Sequence, residues 1–316
     1  MDVLQEMLSA LRLSGGVFVE SEFRAPWSVF SHFGPDDCAR FFTVPRQLIA
    51  YHYVRAGSMT CDLGNGMTMT VREGEIALLP QNVPHHLHGP SPWPAPIDAH
   101  EMLSHIGDDG MLRQRAGGDG ALTSLYCGYL GTTTPDNMLL QSLPPVMVIG
   151  ADTAGSDWVV KSLDFAAQRI STNSPEMVGK LAECLFAEAV RRYVAELPDD
   201  YRGWLAGLRD PVVGRSLALI HQRYAENWTL DSLARQAGVS KSVLIERFRA
   251  VIGESPMQYC GRWRMKIAAD MLRDQRQNAC SVAYSVGFSS EAAFNRAFKR
   301  EYGAPPATWA REAIAA

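Results

Sequence analysis

The chain has 316 residues, 47% of them apolar, and a formal net charge of −4. That is enough apolar material for a sizeable core and for two domains, and it excludes an intrinsically disordered chain. It contains no run of about 18 uncharged apolar residues and no basic start followed by an apolar stretch, so neither a membrane span nor a secretory leader is expected and the protein is read as cytoplasmic.

In chain order, the first predicted elements are strands. Leu48–Val54, Met59–Leu63, Met67–Val71 and Ile76–Leu79 alternate apolar with polar residues. Gly57, Gly64-Asn65-Gly66 and Gly74 break them, the punctuation of antiparallel hairpins, and a β-sandwich or barrel is expected. From about residue 150 the pattern turns helical. Trp158–Ile170 and Glu176–Leu197 carry apolar residues at helical spacing, in the second case Val178, Leu181, Leu185, Ala189 and Val194 with Cys184 among them. Leu197–Arg209, with Pro198-Asp199-Asp200, Gly203 and Gly207, is the expected linker. The domains are therefore drawn at 1–150, 151–209 and 210–316.

The last segment is basic while the rest is acidic. From Asp210 onward there are 15 Lys and Arg against 10 Asp and Glu; residues 1–209 carry 15 against 24. A basic face suits a nucleic-acid partner, since neutralising phosphates supplies most non-specific affinity. The same segment contains a pattern written twice. Ala234-x3-Gly238-x-Ser240 leads to Leu244-x3-Phe248-x4-Gly253-x2-Pro256, and Ala283-x3-Gly287-x-Ser289 leads to Phe294-x3-Phe298-x4-Gly303-x2-Pro306. This predicts two helix–turn–helix units. In the first, Thr229 or Asp231 caps a helix that buries Leu230, Leu233, Ala234 and Ala237, Gly238 makes the turn, and Ser240 caps the second helix. With Leu244 and Phe248 facing the core, Lys241, Ser242, Ile245, Glu246 and Arg249 are left for a DNA groove. In the second copy, with Ser289 or Ser290 as cap, Phe294, Phe298 and Tyr302 are buried and Glu291, Ala292, Asn295, Arg296 and Lys299 face out. Pro256–Arg273 is expected as one long helix, bearing Arg262, Arg264 and Lys266, that sets the two reading helices near the ~34 Å repeat of the major groove.

At these residues the chain resembles the AraC/XylS family of transcription regulators. AGVS, VGFS, SEAAFNRAFKREYGAPP and GESPMQYCGRWRMKIAADMLR carry the likeness over about residues 210–312. The resemblance implies binding to double-stranded DNA, with Arg296 at a position where the family commonly has a contacting Arg, and Glu246 where it often has one. It also makes the two helices after residue 150 a dimerisation and relay element, hence a homodimer, with RNA polymerase a candidate contact. The phrases RLSGGVFVESEFRAPWSVF, YHYVRAG, REGEIALLP and TSLYCGYLG are similar to the cupin-type sensor of AraC-like regulators. Gly74-x5-Pro80-x-Asn82-x2-His85 is similar to the second cupin motif, with Asn in place of its usual Gly; of the first motif only His52 remains. The implied fold class is α+β: an antiparallel cupin-like barrel with following helices, then an all-α domain with two helix–turn–helix units.

A cupin barrel would bring together His52, His85 and Cys127, which are the candidates for effector binding. Two imidazoles and a thiolate also suit Zn²⁺ or another transition metal, with His86 or His88 completing the set. The alternative is a satisfied core histidine, a small buried cysteine and a solvated His85-His86-x-His88 loop. The six cysteines, at 38, 61, 127, 184, 260 and 280, lack paired spacing and read as reduced thiols. The expected function is a DNA-binding transcription regulator that senses a small molecule and is not an enzyme. A metal-dependent cupin enzyme, or an architectural DNA-binding protein without effector, stays open at this point.

Overall fold

The computed structural model describes residues 4–315 apart from 6–7, 9–10, 12, 40–43, 91, 103, 108–111, 133–136, 151–174 and 275–276. The helix expected at Trp158–Ile170 lies outside the described residues. Two compact units are present: Met7–Tyr193, and Val194–Ala316 joined by Met1–Glu6.

The first unit is built on two sheets. The strands in chain order are β1 (Leu13–Arg24), β2 (Ser28–Ser31), β3 (Gln47–Ala56), β4 (Ser58–Asp62), β5 (Thr68–Arg72), β6 (Ile76–Leu79), β7 (His85–His88), β8 (Ile97–Asp98), β9 (Ser104–Ile106), β10 (Leu112–Gly117), β11 (Leu122–Thr132) and β12 (Met147–Ile149). One sheet has the order β12-β6-β3-β11-β1-β10-β9 and the other β5-β4-β7-β2-β8. Pairing is mostly antiparallel, but β1 pairs β10 and β2 pairs β8 in parallel. Parallel neighbours need a long crossover, which the sequence between these strands supplies. The sheets stay open, so the unit is a sandwich and not a closed barrel. Val19, Phe23, Val54, Leu79 and Leu125 from the larger sheet meet Val29, Met59, Val71 and Leu87 from the smaller one in the core. Gly57 and Gly74, at φ +82° and +80°, make the turns expected of them. Asn82, in the place of the motif glycine, holds φ 47°. Asn tolerates that region better than most residues, and its amide donates to the Phe33 carbonyl at 2.8 Å.

A long helix, Pro175–Glu196, follows a short one at Met138–Ser142. Leu185, Ala189 and Val194 of its apolar stripe are buried within the single chain, together with Phe186 and Val190.

The second unit is helical. Its elements are Trp204–Arg209, Pro211–Gln222, Leu230–Ala237, Lys241–Ile252, Pro256–Asp274, Ala279–Ser285, Glu291–Tyr302 and Pro306–Ala315. Of the expected linker Leu197–Arg209, the last six residues, Trp204–Arg209, form a helix of this unit. Trp204 Nε1 donates to Tyr259 Oη at 2.9 Å. Gly207 is a close-packing glycine: a Cβ there would lie 2.8 Å from Ile252 and 2.9 Å from Leu217. The caps are local chemistry. Asp210 accepts from the amides of Val212 and Val213, with Pro211 opening the helix, Thr229 accepts from Ser232, Ser240 from Val243, and Ser290, the second of the two serines considered, from Ala293. The second copy's core joins Phe294, Phe298, Val282 and Val286 to Met265 and Leu272 of the long helix.

Candidate DNA-reading surface and sensor cavity

Each recognition helix begins at a serine cap just past its turn glycine, Ser240 two residues after Gly238 and Ser290 three after Gly287. Of the residues expected at the groove, Lys241, Ser242, Glu246 and Arg249 in the first copy and Glu291, Arg296 and Lys299 in the second are exposed. Ile245 and Asn295 are half-buried, and Asn295 Oδ1 is shielded with no hydrogen-bond partner among the described residues. Lys241 is bound to Asp231 at 2.8 Å and Arg247 to Asp210 at 3.3 Å, so the first copy spends cations on its own fold. Arg296, Lys299 and Arg300 form no ion pair among the described residues. Sequence reasoning missed Val243, 40% exposed on the first turn of its helix and able to meet a thymine methyl. Arg264, expected on a DNA-facing ruler, instead holds the Tyr224 carbonyl at 2.7 Å and that of Glu226.

In the sandwich, strand register puts His52 beside Cys127, and sheet packing brings His85 to His52. His52 Nδ1 lies 3.1 Å from Cys127 Sγ, His52 Nε2 lies 2.8 Å from His85 Nε2, and His85 Nδ1 lies 2.8 Å from the Val83 carbonyl. One assignment of protons satisfies all three contacts. A carbonyl only accepts, so His85 Nδ1 carries a proton and its Nε2 accepts from His52 Nε2–H; His52 Nδ1 then accepts from the Cys127 thiol. The chain is neutral throughout. Burial holds His52 well below the usual histidine range, with His85 adding to it, and lowers His85 to about 4. Burial pushes the Cys127 thiol up to about 12, against a hydrogen bond from Ser21.

This arrangement does not fit a metal ion. His52 turns its two ring nitrogens to different partners, and one ion cannot take both. The 2.8 Å between the two Nε2 atoms is also shorter than the roughly 3.3 Å between donors of a tetrahedral zinc at about 2.0–2.1 Å. Of the proposed extra ligands, His86 lies tilted against Phe30 at 4.8 Å on the far side of the strand from His85, and His88 stacks on Trp93 at 3.9 Å. Among the described residues no group of three or more His, Cys, Asp or Glu is placed to hold a metal.

His52 and Cys127 line a cavity of about 350 Å³ between the sheets; His85 stands behind His52 and does not. The walls are largely apolar, from Val19, Phe23, Val29, Leu87 and Leu112. Ser21, Ser31, Gln114 and Tyr129 add polar atoms, with Ser31 Oγ and Tyr129 Oη 3.0 Å apart. Asp37 and His100, which the sequence did not single out, stand at one side. Asp37 is held below its usual range first by the Gly34 amide and then by His100. Partial burial works against charge on His100, but bonds to Asp98 at 2.9 Å and Asp37 at 3.3 Å outweigh it and raise its pKa.

The neutral chain has a consequence for acid stability. Histidines whose folded pKa lies below the unfolded value take up protons on unfolding, so stability is present above about pH 6.5 and is lost as pH falls toward about 4. Circular-dichroism melts across that window should show the melting temperature dropping, with a shallower drop for His85→Gln. Identical slopes for the two proteins would place the acid sensitivity elsewhere.

Comparison with known proteins gives a family model described as Cupin over residues 2–195 and one described as Helix-turn-helix domain over residues 233–312. The chain is 32% identical over 312 residues to an AraC-like transcription regulator of Streptomyces lividans, covering 97% of each. It is 25% identical over 314 residues to the HTH-type transcriptional regulator MtrA of Neisseria gonorrhoeae, covering 99% of each. Among solved structures, the C-terminal domain of AraT from Geobacillus stearothermophilus aligns with 33% of this chain and 86% of its own, at 27% identity and a TM-score of 0.32. Among the described residues no helix is long and apolar enough to cross a membrane.

Proposed function

This chain belongs to the AraC family of DNA-binding transcription regulators, with an N-terminal cupin domain and no enzymatic role, and we propose that the cupin domain senses a small molecule and thereby changes operator binding. The cavity of about 350 Å³ carries this reading, because its size and its mostly apolar wall with a few converging polar groups are those of a ligand site. An effector shifts the DNA-binding equilibrium only by its differential affinity for two arrangements of the protein, so a coupling on the order of 1–3 kcal/mol is expected. A homodimer joined through the helices after residue 150 is part of this reading, as the family resemblance implies. The test is a reporter driven by the operator, screened against a metabolite panel in cells making the wild type or Ala99→Phe, which fills the cavity wall. At least one compound should alter expression with the wild type and not with the variant. A response that persists undiminished in the filled variant would put the sensing site outside this cavity, and DNA binding indifferent to every compound would leave an architectural role.

A further inference from the structure

The polarity of the cavity says more about its occupant than its volume does. Strand alternation sends the nearby cations away from it. On β10, Leu112 and Gln114 face the cavity, while Arg113 and Arg115 face the opposite side and are held there by Glu20 and Glu22, at 2.9 and 3.0 Å. No Lys or Arg is among the described residues that line it. His100 is shared between two carboxylates, Asp37 and Asp98, so even with a proton on both ring nitrogens the charges at this side of the cavity sum to negative among the described residues. A ligand carboxylate or phosphate would lose its water with no cation to replace it and would face a like charge, a penalty that grows with burial. An ammonium group would meet only the Oδ1 of Asp37, since Oδ2 already takes the Gly34 amide at 2.6 Å and His100, and it would have to shed its own water against a largely apolar wall.

Neutral polarity, by contrast, is provided for. The Gln114 carboxamide lines the cavity and makes no hydrogen bond among the described residues. It sits opposite Ser21 in the parallel register, and the Ser31–Tyr129 hydroxyl pair lies on another part of the wall. Resting on the reading that this cavity is the effector site, we infer that it is built for an uncharged, mostly apolar molecule carrying a hydroxyl or carbonyl, and that it discriminates against organic anions. The apolar body packs between Phe23, Leu87 and Leu112, and the polar head bonds to Gln114.

Three probes of one shape separate the cases: 4-propylphenol, 4-propylbenzoate and 4-propylbenzylamine, titrated calorimetrically into the full chain near neutral pH. The phenol should bind with one-to-one stoichiometry, and both charged analogues roughly tenfold or more weaker. Ala99→Phe and Leu112→Trp should each abolish phenol binding while keeping the wild-type circular dichroism, and two fillers guard against one failing to fold. Gln114→Leu should weaken the phenol several-fold. If the benzoate or the amine binds as tightly as the phenol and the filled variants lose it, the effector site stands and the neutral-ligand inference falls. If no probe binds, or the phenol binds the filled variants unchanged, both fall.

Discussion

Replacing Arg296 with alanine is expected to weaken binding to the protein's own operator by roughly 10- to 100-fold and to flatten preference at one or two base pairs, as for the loss of a bidentate guanine contact worth about 1–3 kcal/mol. The expectation rests on which cations are free. The two copies of the motif align at their serine caps, which sets Arg296 against Glu246 and Lys299 against Arg249. In the first copy Lys241 and Arg247 are tied to Asp231 and Asp210. In the second, Arg296, Lys299 and Arg300 lie exposed along one helix with no ion pair among the described residues. Lys299→Ala should act differently: a loss nearly uniform across sequences, with the slope of log affinity against log salt shallower by about one. Fluorescence-anisotropy titrations at several salt concentrations on operator and scrambled DNA separate the two. Unchanged affinity and unchanged sequence preference in Arg296→Ala would sink the assignment.

That asymmetry was readable in the sequence, because caps, turn glycines and buried stripes are decided by neighbours within one or two helical turns. Thr229, Ser240 and Asp210 act where their spacing put them, and Phe294 and Phe298 are fully buried as expected. What the sequence hid depends on distant partners or on direction. His52, His85 and Cys127 could be counted as metal donors, but only the three-dimensional arrangement shows the two nitrogens of His52 committed to different neighbours. Asp37 and His100 stand 63 positions apart and meet only because the strands that flank them are neighbours in one sheet. Gly207 was read as linker because glycine looks the same whether it bends a loop or admits a neighbour; the approach of Ile252 and Leu217 decides it. Asn295 faces outward by periodicity, yet its carbonyl oxygen is shielded.

The duplicated turn glycines give the second large effect, and it should differ between the copies. Gly238 and Gly287 hold nearly the same backbone, φ +78° and +84°, so alanine at either meets the left-handed penalty of about 1–2 kcal/mol. There the likeness ends. A Cβ on Gly238 has nothing within 4 Å, whereas one on Gly287 would lie 2.2 Å from the Ala225 carbonyl oxygen and 2.8 Å from its carbon. The obstacle is backbone, and it is pinned. Arg264 holds the carbonyls of Tyr224 and Glu226 on either side of Ala225, and Trp228 Nε1 donates to the Arg223 carbonyl at 2.9 Å. The turn of the second copy is thus seated on the segment that leads into the first, and a shift there is expected to move the two reading helices relative to each other. Gly287→Ala should therefore cost upwards of about 4 kcal/mol, where Gly238→Ala costs about 1–2. Urea unfolding followed by tryptophan fluorescence measures both costs, and operator titration should show Gly287→Ala losing specific binding even where it still folds. Equal, small losses at both glycines would mean that the Ala225 segment yields, and that the spacing of the recognition helices is set by the long helix Pro256–Asp274 alone.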